Sequence, residues 1–272
     1  MVRSLWTGAA GMIAQQTAVD TIANNIANIN TTGYKSSQNE FKSLLYQQLQ
    51  TKTTSANGEQ KPIDSQVGLG VRSSSITTIF TQGSFYESNG NADFAIDGSG
   101  FFGVKDASGE VYYTRNGSFN FSENGQGGLV LCNSQGSSVL DSKGEPIVLD
   151  ESVPVSNLNL SGDGELFYMD ENGNAVSLDI RIGTWQFNNP AGLEKLSDSL
   201  YRVTGASGQA LNEETTANIE KSKIVKGYLE GSNVQLADEM VNLIVAQRAY
   251  EANSKAITTS DTMMEQANQL KR

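Results

Sequence analysis

The chain has no histidine, one cysteine and 4 prolines in 272 residues, and each scarcity closes off a chemistry. Without histidine no Ser-His or Cys-His catalytic pair exists, and no Cys/His zinc cluster can be assembled. Cys132 cannot form an intramolecular disulfide. With no imidazole to lower its pKa it reads as a small core residue beside Leu129, Val130 and Leu131. A lone thiol suits either the cytosol or a protein exported unfolded and uncrosslinked. Long apolar runs are missing as well: nothing approaches the roughly 18 residues that a membrane-spanning helix needs. Near Met1, the polar residues Gln15, Gln16 and Asp20 interrupt the apolar positions, so no charged segment with an unbroken apolar core marks a cleaved signal peptide. The expectation is a chain neither inserted in a membrane nor taken by the general secretion route.

Positive charge is scarce too. Lys and Arg number 19 against 30 Asp and Glu, a formal charge of −11, and nucleic acid, which needs a basic face, is not an expected partner. The acid is concentrated at Asp141, Glu145, Asp150, Glu151, Asp163, Glu165, Asp170, Glu171 and Asp179, with Lys143 the single base among them. Residues 1–50, by contrast, nearly balance, with Arg3, Lys35 and Lys42 against Asp20 and Glu40. The middle therefore reads as solvated and the N-terminal arm as a segment packed against copies of itself. Apolar residues make up 38% and aromatics 8%, enough for a modest core, and 27 glycines favour tight turns.

What the chain does have is a seven-residue apolar spacing at both ends. Leu5, Met12, Val19 and Ile26 form one stripe, with Ile22 and Ile29 on its flank; Leu236, Leu243, Tyr250, Ile257 and Met264 form another. Such a period keeps one seam of a helix facing a partner helix. A helix is expected over about residues 4–29, with Ser4 as N-cap and Gly33 as the stop. A second is expected from the capping box Ser37-Gln38-Asn39-Glu40, followed by Phe41, Leu44, Leu45 and Leu49 on one face. Residues 51–66 read as an irregular connector. The last helix is expected to open at a further capping box, Ser232-Asn233-Val234-Gln235, with Asp238 and Glu239 near its start and Lys271 and Arg272 at its end, as the helix dipole favours.

Over about residues 67–228 the helical period vanishes. Runs at 101–104, 111–114, 129–131, 178–182 and 200–203 have the length of strands. The pairs Asn57-Gly58, Asn89-Gly90, Asn116-Gly117, Asn124-Gly125 and Asn172-Gly173 suggest hairpin turns. Together they predict a mostly antiparallel β domain.

Three polar motifs invite chemistry. Gly98-Ser99-Gly100-Phe101-Phe102-Gly103 has the dinucleotide-binding spacing, but Phe101 to Val104 continue as a strand and Ser108-Gly109 turns it back, so a glycine-rich β corner is expected. The acidic stretch around Asp163 and Asp170 could ligate calcium or serve a glycosidase. It lacks the EF-hand order, and solvated hairpin tips explain it more simply. Asn24, Asn25, Asn28 and Asn30 are poor helix formers crowded beside the stripe. They either fix register through interhelical hydrogen bonds, the favoured reading, or mark a frayed end.

At these asparagines the sequence becomes familiar. Asp20-Thr21-Ile22-Ala23-Asn24-Asn25-Ile26-Ala27-Asn28-Ile29-Asn30-Thr31-Thr32-Gly33-Tyr34-Lys35 closely resembles the N-terminal signature of the bacterial flagellar rod and hook proteins. Gly227-Tyr228-Leu229-Glu230-Gly231-Ser232-Asn233-Val234 and Gln247-Arg248-Ala249-Tyr250-Glu251-Ala252-Asn253 are similar to the same family's C-terminal signature. Ile96-Asp97-Gly98-Ser99-Gly100-Phe101-Phe102 and Tyr113-Thr114-Arg115-Asn116-Gly117-Ser118-Phe119 resemble its β-domain segments. Within the family, Ser4-Leu5-Trp6, Ala14-Gln15-Gln16 and Leu44-Leu45-Tyr46-Gln47 are most similar to distal rod members, with proximal rod or hook-type members as the alternative.

The resemblance implies a mixed α and β fold, with N- and C-terminal helices paired as a coiled-coil-like arm and a central, mostly antiparallel β domain. The implied domains are a tube-forming helical part (residues 1–46 with 229–272), a connector (47–80 with 215–228) and the β domain (81–214). It implies a structural subunit with no catalytic, cofactor or metal residues. The implied assembly contacts are Leu5, Met12, Val19, Ile22, Asn24, Asn25, Ile26, Asn28 and Ile29 on the first helix. On the last helix they are Leu236, Met240, Leu243, Gln247, Tyr250, Asn253, Ile257 and Met264. Partners would be copies of the chain, other flagellar rod and hook proteins, and the flagellar type III export apparatus. The place would be the basal body in the cell envelope. A secreted β-rich adhesin with coiled-coil termini is the alternative from another class.

Overall fold

The alanine-rich start of the chain forms one helix, α1 (Val2–Ala27), and the end forms another, α2 (Leu236–Gln269). The computed structural model describes residues 2–50, 65–123, 128–150, 153, 158–162, 164–170, 174–216 and 219–270. Two compact units emerge. The first comprises Met1–Ala27, Ser37–Thr78 and Gln235–Arg272; the second comprises Asn28–Ser36 and Ile79–Val234.

In the first unit the two helices are accompanied by a β ribbon: β1 (Ser37–Ser43), β2 (Tyr46–Gln50), β3 (Ser65–Gly68) and β4 (Val71–Thr78). β1 pairs antiparallel with β4, and β2 with β3. The expected helix over the capping box at Ser37 is therefore a strand. Both backbone groups of Ser37 are taken by the Asn25 side chain, and the Glu40 carboxylate accepts from Ser75 and Thr77 across the ribbon. The box residues have better partners than a helix start, and Phe41 and Leu45 find no core to bury a helical face against. Of the expected connector, residues 51–64 lie outside the described residues, while Ser65 and Gln66 open β3.

The box before α2 is also used otherwise. Gln235 is the N-cap residue without a side-chain cap bond, while Asn233 reaches Ile79, Thr81 and Ser36. Asp238 and Glu239 do occupy the first turn; Lys271 and Arg272 lie outside the described residues.

The second unit is antiparallel β. Its strands are β5 (Phe85–Glu87), β6 (Phe94–Asp97), β7 (Phe101–Lys105), β8 (Val111–Thr114), β9 (Asn120–Glu123), β10 (Gly128–Cys132), β11 (Ser138–Val139) and β12 (Val148–Asp150). They continue with β13 (Leu158–Leu160), β14 (Glu165–Met169), β15 (Ala175–Arg181), β16 (Thr184–Gln186), β17 (Glu194–Lys195), β18 (Leu200–Arg202), β19 (Leu211–Asn212), β20 (Lys223–Lys226) and β21 (Tyr228–Glu230). The largest sheet runs β12-β10-β11-β7-β8-β18-β17, with β9 on β10 and β16 joining β7 to β19; β13-β14-β15 form a separate sheet.

Side-chain alternation along β7 serves two cores. Phe102 and Val104 point into one, with Phe94, Leu131 and Leu149. Phe101 points into the other, an aromatic cluster with Tyr113, Trp185, Phe187 and Tyr201. The glycine motif is a β corner, as read: Gly98 has φ +136°, and β7 starts at Phe101 with no helix. Gly103 is needed because the Trp185 ring lies where a Cβ would be, 2.5 Å away. Gly109, at φ +87°, turns β7 into β8. The Asn-Gly reading fails where it can be seen. Neither Gly90 nor Gly117 has positive φ; each is pressed against neighbouring atoms, Asp93 and the Phe94 carbonyl respectively. The Asn57-Gly58, Asn124-Gly125 and Asn172-Gly173 pairs lie outside the described residues.

Candidate assembly interface

Small residues on α1, spaced three and four apart, let α2 approach closely. Gly8, Gly11, Ala14, Ala18, Thr21 and Asn25 are all buried. A Cβ on Gly8 would lie 2.9 Å from Ile257, and one on Gly11 would lie 2.8 Å from the Asn253 amide. Ser4 and Ser260 hydroxyls meet at 3.1 Å, and Asn25 Nδ2 donates to Glu239 Oε1 at 3.0 Å. Rising numbers on one helix face falling numbers on the other, so the pair is antiparallel.

Asn25 joins three elements. Its amide nitrogen donates to the Ser37 carbonyl and its oxygen accepts from the Ser37 N–H, each at 2.9 Å, while the third bond crosses to α2. One side chain thus fixes helix, strand and second helix in register. Asn28 instead accepts from the Thr31 hydroxyl in the turn that follows α1.

The other candidate contacts divide into two groups. Leu5, Met12, Val19, Ile22, Ile26, Leu243 and Met264 are half-buried on the two helices, and Asn253 and Ile257 are half-buried in the seam against Gly11 and Gly8; Ile29, also half-buried, lies past the end of α1, which stops at Ala27, and belongs to the second unit. Asn24, Leu236, Met240, Gln247 and Tyr250 are exposed. Gln16, Val19, Gln247, Tyr250 and Glu251 line a shallow cleft of about 390 Å³. Gly8 is consumed inside the chain against Ile257.

A further apolar surface escaped the heptad reading. On α2, Val241, Ile244 and Val245 are exposed beside Leu236 and Met240; on α1, Trp6 is 73% exposed and Ile13 67%. Their signal was a period of four (236, 240, 244 and 237, 241, 245) alongside the period of seven. Phe41, Leu45, Tyr46 and Ile76 add exposed apolar groups on the ribbon. Contiguous apolar patches of this kind mark docking sites.

The second unit has a polar centre of its own. Lys35 Nζ donates to Glu230 Oε1 at 2.6 Å, and Arg115 Nη1 to Glu230 Oε2 at 3.2 Å, with all three side chains out of solvent. Arg115 also donates to the Gly98 carbonyl and lies over the Phe101 ring. Burial pulls the Lys35 ammonium below its ordinary range, with Glu230 acting the other way, and burial lowers Arg115 similarly. Lys195, also lowered by burial, sits 3.9 Å from the centre of the Tyr34 ring and donates to the Lys35 carbonyl. The signature segments around Lys35, Gly98, Arg115 and Glu230, far apart in sequence, meet here.

Cys132 is buried at the end of β10, its thiol pushed up by burial. Among the described residues no His/Cys/Asp/Glu group is placed to hold a metal, and no helix is long and apolar enough to cross a membrane. Asp163 lies outside the described residues, and Glu165 is engaged by Arg181 and Ser177.

Three family profiles match the chain: flagella basal body rod protein over residues 5–35, flagellar hook protein FlgE/F/G D1 domain over 95–185, and flagellar basal body rod FlgEFG protein C-terminal over 225–270. The flagellar basal-body rod protein FlgG of Borreliella burgdorferi is 41% identical over 278 residues, covering 100% of both chains. That of Buchnera aphidicola subsp. Acyrthosiphon pisum is 38% identical over 99% of this chain and 100% of its own. That of Bacillus subtilis is 35% identical over 100% of both.

Proposed function

The chain belongs to the family of flagellar basal-body rod proteins, and we propose that it polymerises helically into the drive shaft that carries motor torque to the hook. It is a structural subunit of the flagellar rod and not an enzyme. The observation that carries the polymer reading is the apolar face Leu236, Met240, Val241, Ile244 and Val245, left open after α1 and α2 have packed together.

Magnitudes favour many neighbours over one. Completing the burial of five half-covered apolar side chains is worth about half of the ~1.5–3 kcal/mol each that full burial contributes, or about 4–8 kcal/mol. Association itself costs about 4–15 kcal/mol, so a single such contact is marginal. A subunit that also covers Trp6 and Ile13 on α1 and Phe41, Leu45 and Tyr46 on the ribbon against further copies adds a separate gain at each contact.

In this reading the helix pair is a coiled-coil-like arm, residues 1–46 with 229–272 are the tube-forming part, residues 47–80 with 215–228 the connector and residues 81–214 the β domain. The flank residues and the Gln247–Tyr250 cleft take neighbouring helices. The position in the rod is distal, next to other rod and hook proteins. Export is through the flagellar type III apparatus, which suits termini whose apolar faces are covered only on assembly. Ile244→Asp tests the polymer: its side chain is exposed in the single chain, so the monomer should keep its stability within about 0.5 kcal/mol while polymerisation and motility are lost. Normal filaments on a motile cell carrying this substitution would overturn the reading.

A further inference from the structure

Two straps, residues 33–36 directly before β1 and residues 231–234 between β21 and the N-cap of α2, are held in the β unit beside one carboxylate, that of Glu230 at the end of β21. Glu230 Oε1 accepts from Lys35 at 2.6 Å and from the Gly83 N–H at 2.9 Å, and Oε2 accepts from Arg115 at 3.2 Å. The Glu230 backbone carbonyl accepts from the Gly33 N–H at 2.8 Å. Lys35 and Glu230 are 0% exposed and Arg115 2%. Asn233 adds a second stitch, accepting from the Ser36 N–H and donating to the Ile79 carbonyl.

The charge count gives this knot its logic. Two cations face one carboxylate, and Arg115 acts on Lys35 as a like charge. With Glu230 lifted away, Lys35 would be buried beside Arg115 with no counter-charge, an arrangement a protein interior does not tolerate. The bonds of Lys35 Nζ to the Thr81 carbonyl, of Lys195 to the Lys35 carbonyl and of the Ile79 N–H to the Ser36 carbonyl remain, so unseating the second strap loosens the first without releasing it outright. Because coupling between two seating events is reciprocal, the first strap stabilises the second by the same factor.

We propose that Lys35, Arg115 and Glu230 form a charge latch that seats the two straps on the β unit together. The segments that lead into β1 and α2 are then seated as a coupled pair. This inference is independent of the rod reading, since it concerns the single chain.

Amide hydrogen exchange on the full-length monomer tests it. Glu230→Gln should speed exchange at Gly33 on the order of tenfold, although the acceptor of Gly33, the backbone carbonyl of residue 230, is retained. Lys35→Met should likewise speed exchange at Gly231, whose acceptor is the Ser84 carbonyl. Leu131 and Leu140, bonded to Ile147 and Gly103 within the sheets, should be unchanged. In a Lys35→Met background, Glu230→Gln should affect Gly33 less than it does alone, because the unpaired ammonium is gone and only Arg115 lacks its counter-charge. The latch is overturned if Glu230→Gln touches only Gly83. It is equally overturned if Leu131 and Leu140 accelerate as well, since the triad would then be part of the core and not a coupling of two straps.

Discussion

Tyr201 lies wholly inside the aromatic core, and among the described residues its hydroxyl has no hydrogen-bond partner. An unsatisfied buried hydroxyl costs roughly 1–3 kcal/mol, so Tyr201→Phe should leave the urea midpoint unchanged or raise it. Burial also raises the ionisation of Tyr201 well above its ordinary value of 10.0. The folded chain therefore keeps this proton at a pH where the unfolded chain loses it. The unfolded state binds fewer protons there, so stability falls as pH rises above about 10. Tyr201→Phe should make that alkaline loss shallower, as urea titrations at neutral and alkaline pH would measure. Asn25 is the opposite case, a buried amide whose nitrogen and oxygen are both bonded. Asn25→Ala strands both backbone groups of Ser37 and should cost about 1–3 kcal/mol, read as a lower thermal midpoint of the helical circular dichroism signal.

At the level of elements, the helix seam is a close approach of small residues, and Gly11→Leu should wedge α1 from Asn253. Overpacking of this kind costs about 1–3 kcal/mol, visible as a lower urea midpoint; an unchanged midpoint would mean that the helices do not pack there. Both long helices and five strand runs were legible, because periods of seven and of two are carried by the side chains themselves. The inner seam was less so: Gly8, Gly11 and Ala14 carry no hydrophobic signal, and the eye follows the larger Leu5 and Met12 beside them. Ser37 and Asn233 both misled. For Ser37 the Asn25 side chain takes both backbone groups, and Asn233 is held by Ser36, Ile79 and Thr81 while the neighbouring Ser232 hydroxyl accepts from the Val234 N–H, so that α2 opens only at Leu236. The latch was hidden because nothing in a sequence shows that Lys35 and Arg115 share the Glu230 carboxylate, although each of the three lies in a segment that the family resemblance had already singled out.

For the whole molecule, the unequal burial of the two units predicts how the free subunit behaves. The β unit holds both hydrophobic cores, whereas the helical unit leaves Trp6, Ile13, Ile244 and Val245 open to solvent. Limited proteolysis of the monomer should cut the helical unit first and leave a fragment containing residues 79–234; cleavage of both units at equal rates would contradict that difference in stability. The central claim, that the outward face of α2 is a contact between copies, can be read directly by thiol labelling. Cys132 is buried and is the chain's only cysteine, so Val245→Cys adds a single accessible thiol at a position 62% exposed in the lone chain. Maleimide should modify this cysteine rapidly in the monomer and be excluded from it in assembled rods. Labelling at the same rate in both would contradict the account.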